Sequence, residues 1–139
     1  MDPALANLLR YFDALDRFDI DGCLACFTDG VIYHHPPYGN LIPERKGDGW
    51  HMASGQAELR KLLEFRGPQP EKHYVTAFVR DGNTCFNEGF AERQENRNAA
   101  SWLTIFKVDG RGLISEYHPY SCVPGRKLLG NAVPFALAG

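Results

Sequence analysis

From residue 73 to residue 122 the chain is a succession of four strand-length segments, and ahead of residue 66 only 31–35 shares that character. Residues 73–80, 84–94, 100–108 and 113–122 are rich in β-branched and aromatic side chains. Asp81-Gly82-Asn83 and Asp109-Gly110-Arg111-Gly112 separate two pairs of them as hairpin turns. The polar stretch 94–99 supplies a third turn signal. Helices first and a run of antiparallel strands later define an α+β domain, one curved sheet with helices filling its concave side. Such a sheet leaves a deep pocket between the two layers, a usual place for a ligand. At 139 residues the chain is sized for one core, so residues 1–139 are read as a single domain.

Asp2-Pro3 reads as an N-cap followed by proline in the first helical turn. Leu5, Leu8, Leu9, Phe12, Leu15 and Phe18 then recur at three-to-four spacing, an apolar stripe on one helix face. Asp19 or Asp21 caps a second, short helix ending near Phe27. Thr28-Asp29-Gly30 turns the chain into a strand over 31–35, which Pro36-Pro37 stops. Residues 36–53 form a long irregular segment with three prolines and three glycines, read as a lid, with Trp50 folding back onto the body. Ser54 is placed as the cap of a helix through about Phe65 that buries Leu59, Leu62 and Leu63. The segment 123–139, broken by Pro124, Gly130 and Pro134, is a C-terminal extension that packs along the body or across a partner subunit.

Net charge is −2 and the pI near 6.2, so no basic field draws nucleic acid or an anionic membrane. No apolar run approaches the roughly 20 residues a spanning helix needs. The N-terminus lacks a basic region followed by an apolar one, so a cytoplasmic location is expected. Cys23 and Cys26 form a C-x-x-C with no second ligand pair at zinc spacing. They share a helix face with Phe27 and are read as small core residues, so neither a metal nor a cofactor is expected.

His35 stands at a strand end, held extended by Pro36, where a titratable imidazole at the rim of an apolar pocket suits proton transfer. Tyr11, on the first helix, offers a phenol for a carbonyl or developing oxyanion. Arg10-Tyr11, the Asp-rich short helix and His35-Pro36 together resemble the opening of the nuclear transport factor 2-like domains, in particular the ketosteroid isomerase and SnoaL-like polyketide cyclase branch. That resemblance implies a cone-shaped fold, a tyrosine oxyanion donor at Tyr11 and a general base at His35, where the isomerases carry an acid. It extends to Thr104-Ile105-Phe106-Lys107-Val108, where Thr104 replaces the protonated aspartate of the isomerase oxyanion hole. In Glu116-Tyr117-His118-Pro119-Tyr120, Pro119 stands where epoxide hydrolase-like and cyclase-like relatives carry an aspartate.

Lys72-His73-Tyr74-Val75 is similar to the scytalone dehydratase-like segment that contributes a pocket histidine, which adds His73 to the catalytic candidates. Trp50, Trp102, Thr104 and Tyr117 are candidate pocket walls, with Glu88 an orienting or acid partner. Asp13, Asp16 and Asp21 read as a solvated helix face. The reading is a cofactor-independent isomerase or lyase acting on a small apolar ketone, hydroxy-ketone or polycyclic substrate. Its alternatives are a protein that only binds a small hydrophobic molecule, and a dimeric interaction module. A homodimer through the open sheet face is expected under each.

Overall fold

The computed structural model describes residues 1–93, 100–124 and 135–137, with the side chains of 121–124 excepted. The turn expected at 94–99 and most of the extension expected over 123–139 lie outside the described residues. Helix α1 (Pro3–Asp16) begins as its sequence demands: the Asp2 side chain accepts a hydrogen bond from the Ala4 amide at 2.7 Å, and Pro3 fills the first turn. Leu5, Leu8, Leu9, Phe12 and Leu15 are buried along one stripe. Helix α2 (Ile20–Leu24) is capped by Asp19, whose carboxylate accepts from the Gly22 amide.

Strand β1 (Phe27–His35) starts four residues earlier than its β-rich core suggests. The cause is distant in sequence. Asn7 donates to the Cys26 carbonyl, and the Gln56 amide serves the carbonyls of Leu24, Phe27 and Thr28, so the turn signal Thr28-Asp29-Gly30 is drawn into the strand. The segment after Pro36 is also more ordered than a loop reading allows. It makes two 3₁₀ turns (Tyr38–Asn40 and Pro43–Arg45) and then β2 (His51–Ser54). Helix α3 (Gln56–Arg66) follows Gly55 rather than a Ser54 cap, because Gly55 sits at φ +86°, a region a side chain at Cβ disfavours.

Strands β3 (Glu71–Asp81), β4 (Thr84–Arg93), β5 (Ala100–Val108) and β6 (Ile114–Pro124) complete a six-stranded sheet in the order β2-β1-β6-β5-β4-β3. Among the described residues only β1 and β6 run parallel, with Tyr33 opposite Tyr117; every other pair is antiparallel. The helices lie on the concave face of this curved sheet, so the α+β cone expected from the sequence is the observed architecture. Cys23, Cys26 and Cys85 are free and buried, and the first two belong to the core as anticipated. None of the described helices is long and apolar enough to cross a membrane.

Candidate active site

One cavity, about 50 Å³, opens between α1, the segment of the two 3₁₀ turns and the concave face of β1, β3, β5 and β6. By volume it takes a few water molecules. Its wall is mostly aromatic, with Tyr11, Phe12, Tyr33, Tyr38, Trp102 and Tyr117, and its polar groups are His35, His73, Glu71 and Arg66. The sequence placed Tyr11, His35, His73, Trp102 and Tyr117 at a common site, and the fold brings all five to this cavity.

Tyr11 and Tyr33 share a hydroxyl–hydroxyl hydrogen bond of 2.8 Å, and both rings are buried. Burial pushes both phenols well above their ordinary pKa, and the neighbouring tyrosines add to the shift. Both therefore stay protonated. Since one hydroxyl uses its proton on the other, the pair has one O–H left to give to a bound oxygen. Tyr33 stacks on Tyr117 at 4.9 Å, which fixes its direction.

His35 stacks on Tyr38 at 4.1 Å, and its Nδ1–H donates to the Pro36 carbonyl at 2.6 Å, since a carbonyl can only accept. Its other nitrogen, Nε2, is then an acceptor. Burial lowers the imidazole pKa to about 3, only partly offset by the Pro36 hydrogen bond. The ring is neutral over the working range and a weak base. Because the unfolded histidine titrates near 6.5, the unfolded chain holds the extra proton between pH 6.5 and 3. Stability from this group is complete above pH 6.5 and falls as pH drops toward 3. Denaturant melts of the wild type are expected to lose about 1.4 kcal/mol per pH unit from pH 6 to pH 4.5, a slope His35→Asn removes.

His73 is built differently. Its Nδ1–H donates to Asp16 Oδ1 at 2.5 Å, while its backbone amide donates to Asp16 Oδ2 at 2.9 Å, so one carboxylate at the end of α1 grips both ring and strand. Phe12 stacks flat on the ring at 4.9 Å and Trp102 leans on it at 5.3 Å. Nε2 faces Glu71 Oε1 at 3.7 Å, and Glu71 is bound in turn by Arg66 at 2.5 Å. A row Asp16–His73–Glu71–Arg66 thus runs along the cavity. Asp16, read from the sequence as part of a solvated face, is instead 15% exposed and the anchor of the candidate base. Arg66 and Glu71 were not singled out at all. An arginine in the last turn of an amphipathic helix carries no local signal of burial.

Two expected wall residues, Trp50 and Thr104, and the expected partner Glu88 lie outside the cavity lining. Trp50 is 63% exposed, because β2 pairs with β1 so that His51, not Trp50, turns inward to meet Asp48 and Tyr38. From the 36–53 segment it is Tyr38, Leu41 and Ile42 that line the cavity. Glu88 lies opposite Ala77 and Leu103, both exposed, on the convex face away from the cavity. Thr104 does face inward but is fully buried beside Asn87, outside the cavity lining, so it does not stand in for the missing aspartate. Asn87, also not singled out, accepts from the Trp102 indole N–H at 2.9 Å and sets that wall in place. Close by, a Cβ at Gly89 would stand 2.2 Å from the Tyr74 carbonyl oxygen and 2.5 Å from the Trp102 ring, so the glycine is required for Trp102 to lie flat on the sheet.

A curved sheet closed by helices around an aromatic cavity with inward tyrosines and histidines defines a nuclear transport factor 2-like cone. Within it, the SnoaL-like domain model matches residues 8–117, and the chain belongs to that family. No curated protein matches it. Among solved structures it is similar to Rv0760c of Mycobacterium tuberculosis, with 15% identity, a TM-score of 0.65, and 86% of this chain and 94% of that one covered. The same protein has been crystallised with estradiol-17beta-hemisuccinate. A ketosteroid isomerase-like protein of Kribbella flavida shares 20% identity at a TM-score of 0.59, covering 97% and 93%. An epoxide hydrolase of the limonene epoxide hydrolase-like type from M. tuberculosis shares 18% at 0.61, covering 84% and 80%.

Proposed function

We propose that the protein is a cofactor-independent isomerase or lyase that moves a proton on a narrow, largely planar ketone or hydroxy-ketone. The observation that carries this reading is the Asp16–His73 dyad opening on the same cavity as the Tyr11–Tyr33 pair. In this reading His73, not His35, is the base. Asp16 holds the Nδ1 proton and leaves Nε2 to exchange one with substrate. His73 Nε2 takes the proton α to the carbonyl; the C–H electron pair becomes the C=C bond of the enolate and the carbonyl π pair moves onto the oxygen. The free O–H of the tyrosine pair donates to that enolate oxygen. The imidazolium then returns its proton either to the γ carbon of an enolate conjugated with a C=C bond, which shifts that double bond and is isomerisation, or to a departing β-hydroxyl, which leaves as water as the Cα=Cβ bond forms and the carbonyl returns. His35, neutral, accepts a substrate hydroxyl at Nε2 and orients it.

A cavity of about 50 Å³ is smaller than such a substrate, so in this reading binding displaces Tyr38, Leu41 and Ile42 from its wall. Proteins of similar fold that hold a steroid ester, a designed binder for 17-OHP and one co-crystallised with polyporic acid support a small hydrophobic ligand in this cavity. The test is a panel of planar hydroxy-ketones and phenolic ketones, scored for thermal stabilisation and, separately, for product. Product from at least one stabilising compound, slowed by Tyr11→Phe, is the expected result. Stabilisation by several compounds with no product from pH 5 to pH 9 would leave a binding protein only.

We further propose a homodimer through the convex sheet face, where Val79, Phe86, Leu103 and Tyr120 stand exposed around Glu88. Sedimentation is expected to give a dimer for the wild type and a monomer for Leu103→Glu.

A further inference from the structure

A second hollow, a groove of about 360 Å³, lies outside the cavity, and Ile42 lines both spaces. The groove runs between the second 3₁₀ turn, the link from α3 to β3 and the end of β4, with Pro43, Pro68 and Pro70 stiffening its sides. Two half-buried arginines face it. Arg45 donates from Nε to the Phe65 carbonyl at 2.7 Å and lies over the Phe65 ring at 5.2 Å. Arg93 donates to the Leu41 carbonyl and to Gln69 Oε1, each at 2.6 Å. Gln69 is fixed in turn by its amide N–H, which donates to the Arg66 carbonyl at 3.3 Å.

What these two guanidiniums lack is a counter-charge. Arg17, Arg60, Arg66, Arg80 and Arg111 each pair with a carboxylate. Among the described residues Arg45 and Arg93 pair with none, and Arg10, exposed on α1, is the other arginine of that kind. Their partners are neutral oxygens and a ring, which fix the direction of a guanidinium and leave its charge whole. Both terminal nitrogens of Arg45 remain for a ligand, and Arg93 keeps its Nε–H and one N–H on each terminal nitrogen. We infer that the groove is an anion subsite, which holds a carboxylate at the far end of a substrate whose ketone sits in the cavity. This rests on the proton-transfer reading for the ketone and adds that the substrate is a keto acid. Glu44, exposed on the same groove, leaves one net positive charge there, which suits a monoanionic carboxylate over a phosphate dianion. Displacement of Ile42 joins groove to cavity, and the strip that moves with it includes Leu41, which Arg93 grips. A carboxylate is a stronger acceptor for a guanidinium than the Leu41 carbonyl, so the anion that fills the groove also loosens the wall.

The test compares 4-acetylbenzoate, the longer 3-(4-acetylphenyl)propanoate and their methyl esters by calorimetry on the whole protein. The arginine Nε–H resonances of ¹⁵N-labelled protein are followed alongside, with benzoate, which lacks the ketone, as a probe of the groove alone. The acid of at least one pair is expected to bind about 10-fold or more tighter than its ester, an advantage that shrinks as salt is raised. Arg45→Gln weakens the acid by about 10-fold and the ester far less, while Glu44→Gln strengthens the acid. The resonances of Arg45 and Arg93 move with benzoate and with the acids. Equal affinity of acid and ester in both pairs, or arginine resonances that no carboxylate moves, would overturn the subsite. Benzoate and the acids moving both resonances, with no product from any ketone, upholds the subsite and sinks proton transfer instead. The resonances are read on unaltered protein, so the decision stands even where a variant folds poorly.

Discussion

Glu71→Ala is expected to be the most destabilising single substitution in the cavity wall, costing about 3–5 kcal/mol and roughly 10 °C in melting temperature. The guanidinium of Arg66 is 5% exposed and Glu71 11%, and besides Glu71 the hydrogen bond it makes is to the Gly67 carbonyl. Removing the carboxylate leaves a buried cation without its counter-charge, and the loss of the paired anion outweighs any gain from a smaller side chain. Burial works most strongly against the charged form of Arg66, yet Glu71 and the nearby Tyr38, Tyr11 and Tyr33 together outweigh it, and its pKa lies above the ordinary value. The arginine therefore cannot escape by neutralising. The double variant Arg66→Met/Glu71→Leu removes both charges at similar volume and is expected to melt within a few degrees of the wild type. Thermal unfolding by circular dichroism separates the cases: a double variant as unstable as Glu71→Ala would show that packing, not the unpaired charge, is what the site loses.

His73→Ala is expected to cut turnover by about 10²–10⁴ with little change in KM, the contribution of a positioned base. His35→Asn, which keeps a hydrogen-bonding side chain but not Nε2, is expected to raise KM with kcat reduced far less. The contrast follows from the two environments. His73 has a carboxylate on Nδ1, whereas His35 has only a backbone carbonyl there and a pKa of about 3. Steady-state kinetics on the first compound turned over in the panel decide it; a larger loss of kcat in His35→Asn than in His73→Ala would return the base to His35.

The order of elements and the apolar stripe of α1 were legible in the sequence because each is a local pattern with a period. His35 was legible by its place at a strand end, Tyr11 and His73 chiefly by the family resemblance, and all three line the cavity. What was not legible is set by contacts distant along the chain. Asp16 belongs to a solvated face by helical spacing and is claimed by His73, 57 residues away. Trp50 is hydrophobic enough to be read as buried, but the β1–β2 register gives the inward place to His51. For Glu88, alternation gave two faces and no means to choose between them; only the sheet's curvature around the helices chose the convex one.

The measurement that bears most directly on proton transfer through the Asp16–His73 dyad is α-proton exchange from D₂O into a bound ketone, followed by proton magnetic resonance for the wild type and Asp16→Asn. Asp16→Asn leaves the ring in place with the wrong proton held, and exchange is expected to slow by about 10² or more while the ketone binds as before. Equal exchange rates in the two proteins, or no exchange into any ketone that binds the wild type, would contradict the account.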